Sequence, residues 1–223
     1  MNKVVLVVAA HSDDEALGCG GTIKKHSVDG DTVHAVFLAD GVTSRPDKDA
    51  ADLAQRNAAS AEAQQILGIE NVYMLGFPDQ RMDGVSLLDI VQKLEKIIYE
   101  IKPEVIYTHH LGDLNLDHRI THQAVLTACR PVPEASVKEI YSFEVMSSSE
   151  WNAPTYEAFL PNVFIDISDF IGSKIESLQK YEVEMRDYPH SRSIAHIEYL
   201  ARHRGAIVGV EAAEAFMAIR IMK

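Results

Sequence analysis

Seven apolar residues, Val4-Val5-Leu6-Val7-Val8-Ala9-Ala10, run straight into His11-Ser12-Asp13-Asp14-Glu15. A β-branched run with no polar face belongs to a strand covered on both sides, not to one half exposed to water. That single segment already favours a parallel sheet sandwiched between helices. Lys3 gives the run the look of an export signal, but it is too short and has no small-residue cleavage site. No apolar stretch approaches the ~20 residues needed to span a membrane.

The periodicity then alternates. Residues 32–38 form a second β-branched run, and residues 16–29 between the two are helix-like, stopped by Gly30. Residues 50–67 place Leu53, Ala54, Ala58, Ala61 and Ile66 at helical spacing before Gly68, and residues 72–75 read as a third strand. Residues 87–101 put Leu88, Val91, Leu94, Ile98 and Ile101 on one face before Lys102-Pro103, and residues 105–108 form a fourth strand. The expected fold class is α/β: a Rossmann-like, mostly parallel sheet with helices on both faces. Beyond Pro133 the pattern loosens. Residues 140–145 and 162–167 read as strands, 168–185 and 193–207 as helices, and 215–221 as a strand or a helix. Residues 147–161, with Trp151, form a long loop of the kind that covers a site.

At 223 residues the whole chain is expected to be one domain. With 21 Lys and Arg against 33 Asp and Glu, the formal charge is −12, which excludes an electrostatic grip on nucleic acid or an anionic membrane. Cys19 and Cys129 make no disulfide framework, so a cytoplasmic location is expected. A homo-oligomer is left open.

Ligands of open parallel sheets bind beyond the carboxyl ends of the strands. In this chain those ends carry His11 to Glu15, then Asp40-Gly41, then Gly76-Phe77-Pro78-Asp79, then His109-His110 with Asp113 to His118. Asp40 or Asp79 alone reads as a helix or loop cap. Three successive acids at the end of a buried strand repel one another unless a cation is present. Gly18-Cys19-Gly20-Gly21 suggests a dinucleotide loop, but Asp13, Asp14 and Glu15 occupy the place of the pyrophosphate. Those glycines instead let a helix lie close to the sheet. His11 and Asp14, three apart across a turn, can point at one metal ion with a third ligand from a distant loop, the pattern of catalytic zinc.

The segment Ala10-His11-Ser12-Asp13-Asp14-Glu15-Ala16-Leu17-Gly18-Cys19-Gly20-Gly21 resembles the opening motif of the PIG-L (LmbE-like) deacetylases, zinc-dependent hydrolases that remove acetyl from N-acetylglucosamine units. The resemblance continues through Asp40-Gly41, Arg56, Gly76 to Asp79, Asp117-His118, Arg204-Gly205 and Ala213-Glu214-Ala215-Phe216. It implies His11, Asp14 and His118 as zinc ligands and Asp13 as general base, with Arg56 and Asp79 on the sugar. Zinc brings the pKa of water down toward ~7, where a neighbouring carboxylate can take its proton, so the chemistry agrees.

Two positions depart from the family pattern. Ser12 replaces a proline, and Asn115 stands where a histidine is usual. An Asn amide can donate a hydrogen bond to an oxyanion but cannot titrate, so His110 or His190 is left as the alternative source of an imidazole. Arg45, Arg81 and Arg192 fall in segments that could border the pocket, though solvated ion pairing is the commoner use of such residues. The segment Tyr188-Pro189-His190-Ser191-Arg192 resembles a loop that closes over the site in relatives. His122, four residues after His118, faces the same way, but such histidines more often support a ligand than bind metal.

The leading function is removal of acetyl from an N-acetylated amino sugar, nucleotide-linked or a surface-polysaccharide precursor. The alternatives are an amidase acting on a sugar–thiol conjugate or another amide, and a module that binds a nucleotide or a metal without turnover.

Overall fold

The computed structural model describes residues 2–42, 44, 50–153 and 157–223. Seven strands form one sheet: β1 (Val4–Ala9), β2 (Thr32–Ala39), β3 (Asn71–Phe77), β4 (Val105–His109), β5 (Glu139–Phe143), β6 (Val163–Asp166) and β7 (Ala213–Ile221). Their order is β3-β2-β1-β4-β5-β7-β6. Strands β1 to β5 are mutually parallel, and β7 runs antiparallel between β5 and β6. The ambiguous segment near the carboxyl end is therefore a strand.

Alternation along β1 explains why its apolar run is continuous. Val5 and Val7 face a core shared with α1 (Asp14–Val28), α2 (Ala50–Leu67), α5 (Ile171–Lys180) and α6 (Ile194–Val208). Leu6 and Val8 face a second core built on α3 (Leu87–Ile101) and α4 (Leu116–Ala128). Both faces are dry, as expected of a parallel sheet. In α3 the buried stripe is Ile90, Val91, Leu94 and Ile97, while Leu88 is 60% exposed. Of the stripe read off the sequence, Val91, Leu94, Ile98 and Ile101 pack on this core, the last two partly buried, and Leu88 does not.

The glycines of the first motif do bring α1 close. A Cβ at Gly18 would run into the Phe143 ring of β5, and one at Gly21 into Ile167. Helix α1 is also broken at Cys19, whose φ of −147° is not helical. The break leaves peptide groups without their helical partners, and a buried ion pair replaces them. Glu214 of β7 accepts from the Gly21 N–H (3.0 Å) and the Thr22 N–H (2.7 Å). Lys174 of α5 contacts Glu214 and donates to the Leu17 carbonyl (2.8 Å). Broken this way, the first turn of α1 takes its own direction relative to the rest of the helix.

Candidate active site

After β1, β2 and β3 fill one side of the sheet, the chain crosses to β4 on the other side, so β1 and β4 flank the point where the strand order reverses. Crevices form there. His11 follows β1, His109 ends β4, and the loop after β4 returns His118 on the first turns of α4. Asp13 precedes α1 with φ 152° and makes no capping hydrogen bond. Few L residues hold such a backbone, and strain of this kind concentrates at functional sites. The turn is held by its neighbours: Glu15 accepts from the Asp13 N–H (2.9 Å) and Asp14 Oδ2 from the His11 N–H (2.9 Å).

His11, Asp14 and His118 converge, each offering a ligand atom within 4.8 Å of the others, and all three are buried. His11 Nε2 lies 3.1 Å from Asp79 Oδ1 and 3.2 Å from Asp117 Oδ2, which leaves Nδ1 for a metal. His118 Nδ1 donates to Asp113 Oδ2 at 2.8 Å, which leaves Nε2. Carboxylates behind the imidazoles fix the tautomers, as in most metal–histidine sites. His118 Nε2 and Asp14 Oδ1 are buried without a hydrogen-bond partner among the described residues. Asp14 Oδ2 lies 3.3 Å from His11 Nδ1 and 3.4 Å from His118 Nε2, the spacing of ligand atoms around one ion, so the donor set fits a metal ion.

The local field favours positive charge at this place. Burial works to lower the His118 pKa, yet Asp14 and Asp113 outweigh it and hold the imidazole at about 9. Burial would raise Asp14, and the His118 and His109 rings hold it well below the usual carboxylate range. Asp113 is likewise held at about 2, against burial, by His109 and His118.

Asp13 is clamped instead by guanidinium groups. Its Oδ1 accepts from Arg56 at 3.0 Å and its Oδ2 from Arg192 at 2.9 Å. Burial, the largest influence, raises its pKa, and the two arginines pull it back. Arg56 also donates to Ser12 Oγ (3.1 Å), the Ser12 carbonyl (2.8 Å) and Glu184 (2.6 Å). The third acid of the run is handled differently again: burial pushes Glu15 up to about 7, with Tyr181 donating to it at 2.7 Å. The repulsion expected among these acids is thus relieved separately for each. A cavity of about 180 Å³ opens beside them, lined in part by His11, Asp13, Arg56, Asp79, Asn115 and Arg192.

Residues 6–129, more than half of the chain, match the family described as GlcNAc-PI de-N-acetylase, PIG-L. The chain belongs to the PIG-L family. It is 30% identical over 186 residues to the uncharacterized deacetylase YaiS of Escherichia coli K12, covering 81% of this chain and 91% of that one. It is 26% identical to the probable N-acetyl-alpha-D-glucosaminyl L-malate deacetylase 2 of Bacillus anthracis, over 79% of each chain. The fold superposes on N,N′-diacetylchitobiose deacetylase from Pyrococcus horikoshii with a TM-score of 0.79 at 22% identity, covering 98% of this chain and 84% of that one. This PIG-L member is an enzyme, a deacetylase acting on carbon–nitrogen bonds other than peptide bonds, in a metal-dependent family.

Other residues of this PIG-L chain singled out from the sequence are distributed differently. Asn115 lines the cavity while its Oδ1 caps α4 by accepting from the Asp117 N–H (2.9 Å), so only its Nδ2 is left to donate. Asp79 also lines it, but its carboxylate already meets His11 and Ser44 and is held at about 2 by them against burial. His110 is buried away from the cavity, with Nε2 on the Glu157 carbonyl (2.6 Å). His190 accepts from the Arg192 N–H (3.0 Å) without lining the cavity, and Arg81 is exposed outside it. His122 Nδ1 meets the His109 carbonyl (2.8 Å), and His122 belongs to none of the converging groups. Arg45 lies outside the described residues. No helix of the described residues is long and apolar enough to cross a membrane.

Three buried participants carried no assigned role in the sequence. His109 stacks on His118 with ring centroids 3.9 Å apart and accepts from the Ala10 N–H (2.8 Å). Asp113 and Asp117 orient His118 and His11. For His109 a signal existed, since alternation along β4 puts it on the side of Val105 and Tyr107, facing Phe143 and the first core.

Proposed function

We propose that the protein hydrolyses the acetamide of an N-acetylated amino sugar, with zinc held by His11 Nδ1, Asp14 and His118 Nε2. The observation that carries this reading is the buried, unpartnered His118 Nε2, 3.4 Å from Asp14 Oδ2, one residue away from a carboxylate held by two guanidinium groups. A bound zinc ion would supply the Lewis acidity that makes water a nucleophile at neutral pH. Asp13 takes the proton of the attacking water at Oδ2, the oxygen engaged only by the part-exposed Arg192, because Arg56 occupies Oδ1. The same carboxyl group then returns the proton to the departing amine nitrogen, giving acetate and a free amino sugar. Asn115 Nδ2 donates a hydrogen bond to the carbonyl oxygen as charge develops there and takes no part in proton transfer.

Of the two sugar classes expected, the saccharide precursor fits better than the nucleotide-linked one. Arg56 is committed to Asp13, Ser12 and Glu184, and Arg81 stands outside the cavity, so neither is placed to neutralise a diphosphate. The test is acetate release from N-acetylglucosamine, N,N′-diacetylchitobiose and UDP-N-acetylglucosamine by chelator-treated protein, before and after zinc is restored. Release that depends on zinc and favours the saccharides is expected. Release from none of them with zinc present, or rates indifferent to metal removal, would overturn the reading.

A further inference from the structure

We infer that Trp151, with His190 beside it, forms a second saccharide subsite at the mouth of the cavity, holding the sugar unit joined to the one that reacts. The inference rests on the amino-sugar reading above. At about 180 Å³ the cavity is smaller than the ~300–1,000 Å³ of pockets that enclose drug-sized ligands, so a single sugar ring fills it. Whatever is attached to that ring lies on the rim.

The rim on the side of Arg192 is built and aromatic. Arg192 lines the cavity and donates its N–H to His190 Nδ1, and the His190 ring meets the Trp151 indole edge-on at 5.6 Å and 75°. The segment carrying Trp151 is fastened to the site at three successive serines. Ser147 Oγ accepts from Arg192 Nε (2.6 Å), Ser148 Oγ from the Asn115 N–H (3.2 Å), and Ser149 donates to Asp113. Fixed in this way, Trp151 is still 52% exposed, and Tyr188 on the neighbouring loop is 64% exposed. A large aromatic face held rigidly open beside a cavity gains by being covered, at little further cost in entropy.

The chemistry of the rim selects the occupant. A sugar ring offers an apolar C–H face to the indole and hydroxyl groups to His190, of which Nδ1 alone is engaged among the described residues. A nucleobase would also stack on the indole, but its diphosphate would then face Asp13, Asp79 and Glu184. The two guanidinium groups nearby among the described residues are already bound to carboxylates. The occupant is therefore a neutral saccharide ring.

Trp151 is the only tryptophan of the chain, so its fluorescence reports on this place alone. Chelator-treated protein would be titrated with N,N′-diacetylchitobiose, N-acetylglucosamine and UDP-N-acetylglucosamine, and kcat/KM for the first two measured after zinc is restored. A saturable blue shift of the emission with the disaccharide is expected, larger than with the monosaccharide. A preference of about tenfold in kcat/KM for the disaccharide should accompany it and be erased by Trp151→Ala. Deacetylation of both sugars with unchanged emission and no such preference would overturn the subsite and leave the amino-sugar reading standing. A larger emission change with the nucleotide sugar would replace the saccharide by a nucleobase and overturn the subsite. Failure of both sugars to bind or react would overturn both readings.

Discussion

Asp13→Asn is expected to lower kcat for acetate release by about a thousandfold while the zinc content of the folded protein stays the same. Asn has one acceptor oxygen where Asp has two, so one of the two guanidinium groups that meet Asp13 loses one of its partners and the variant is also less stable. Activity must therefore be expressed per folded, metal-loaded molecule. On that scale the loss isolates proton transfer, because Asp13 is not among the three groups converging on the proposed metal position. A variant retaining activity within tenfold of the parent would remove Asp13 from the role of base.

The second large effect is on stability. Glu214→Ala is expected to cost about 3–5 kcal/mol, roughly 10 °C in Tm for a chain of this size, read by thermal or urea unfolding. The substitution leaves Lys174 buried and unpaired and strips the Gly21 and Thr22 N–H groups of their acceptor. Adding Lys174→Met to the same variant should recover part of the loss, since an apolar side chain of similar length removes the stranded charge. Breaking the exposed pair of Lys180 and Glu62 should cost almost nothing by comparison. Equal losses at the two places would contradict the role given to the buried pair. Because Glu214 and Lys174 hold the break in α1, zinc affinity should fall together with stability.

The architecture was legible because parallel sheets write themselves into sequence as apolar runs without a polar face, and β1 is such a run. The limits of Ala50–Leu67 and Leu87–Ile101 could be read directly, since Gly68 at φ 81° and Lys102 in the left-handed region stop those helices as local chemistry predicts. The antiparallel placement of β7 was not legible, because it depends on which strands have an open edge after β5 and β6 have formed. In the site, the spacing of His11 and Asp14 was enough to propose a metal, as both lie on one turn. The partners of those residues come from far away. Arg56 reaches Asp13 across 43 positions and Arg192 across 179, and no periodicity encodes either contact. The break in α1 at Cys19 was hidden for a related reason: the groups that make it tolerable, Lys174 and Glu214, are contributed by α5 and β7.

The central claim is that His11, Asp14 and His118 hold the metal that the reaction uses. Among the described residues two other buried groups are close enough to compete, His109 with Asp113 and His118, and His11 with Asp79 and Asp117. Anomalous scattering at the zinc absorption edge, from crystals of the zinc-loaded protein, separates all three in one measurement. The account predicts a single strong peak bounded by His11 Nδ1, the Asp14 carboxylate and His118 Nε2, at metal–ligand distances of about 2.0–2.2 Å. A peak centred on either of the other groups, or no peak after zinc loading, would contradict it.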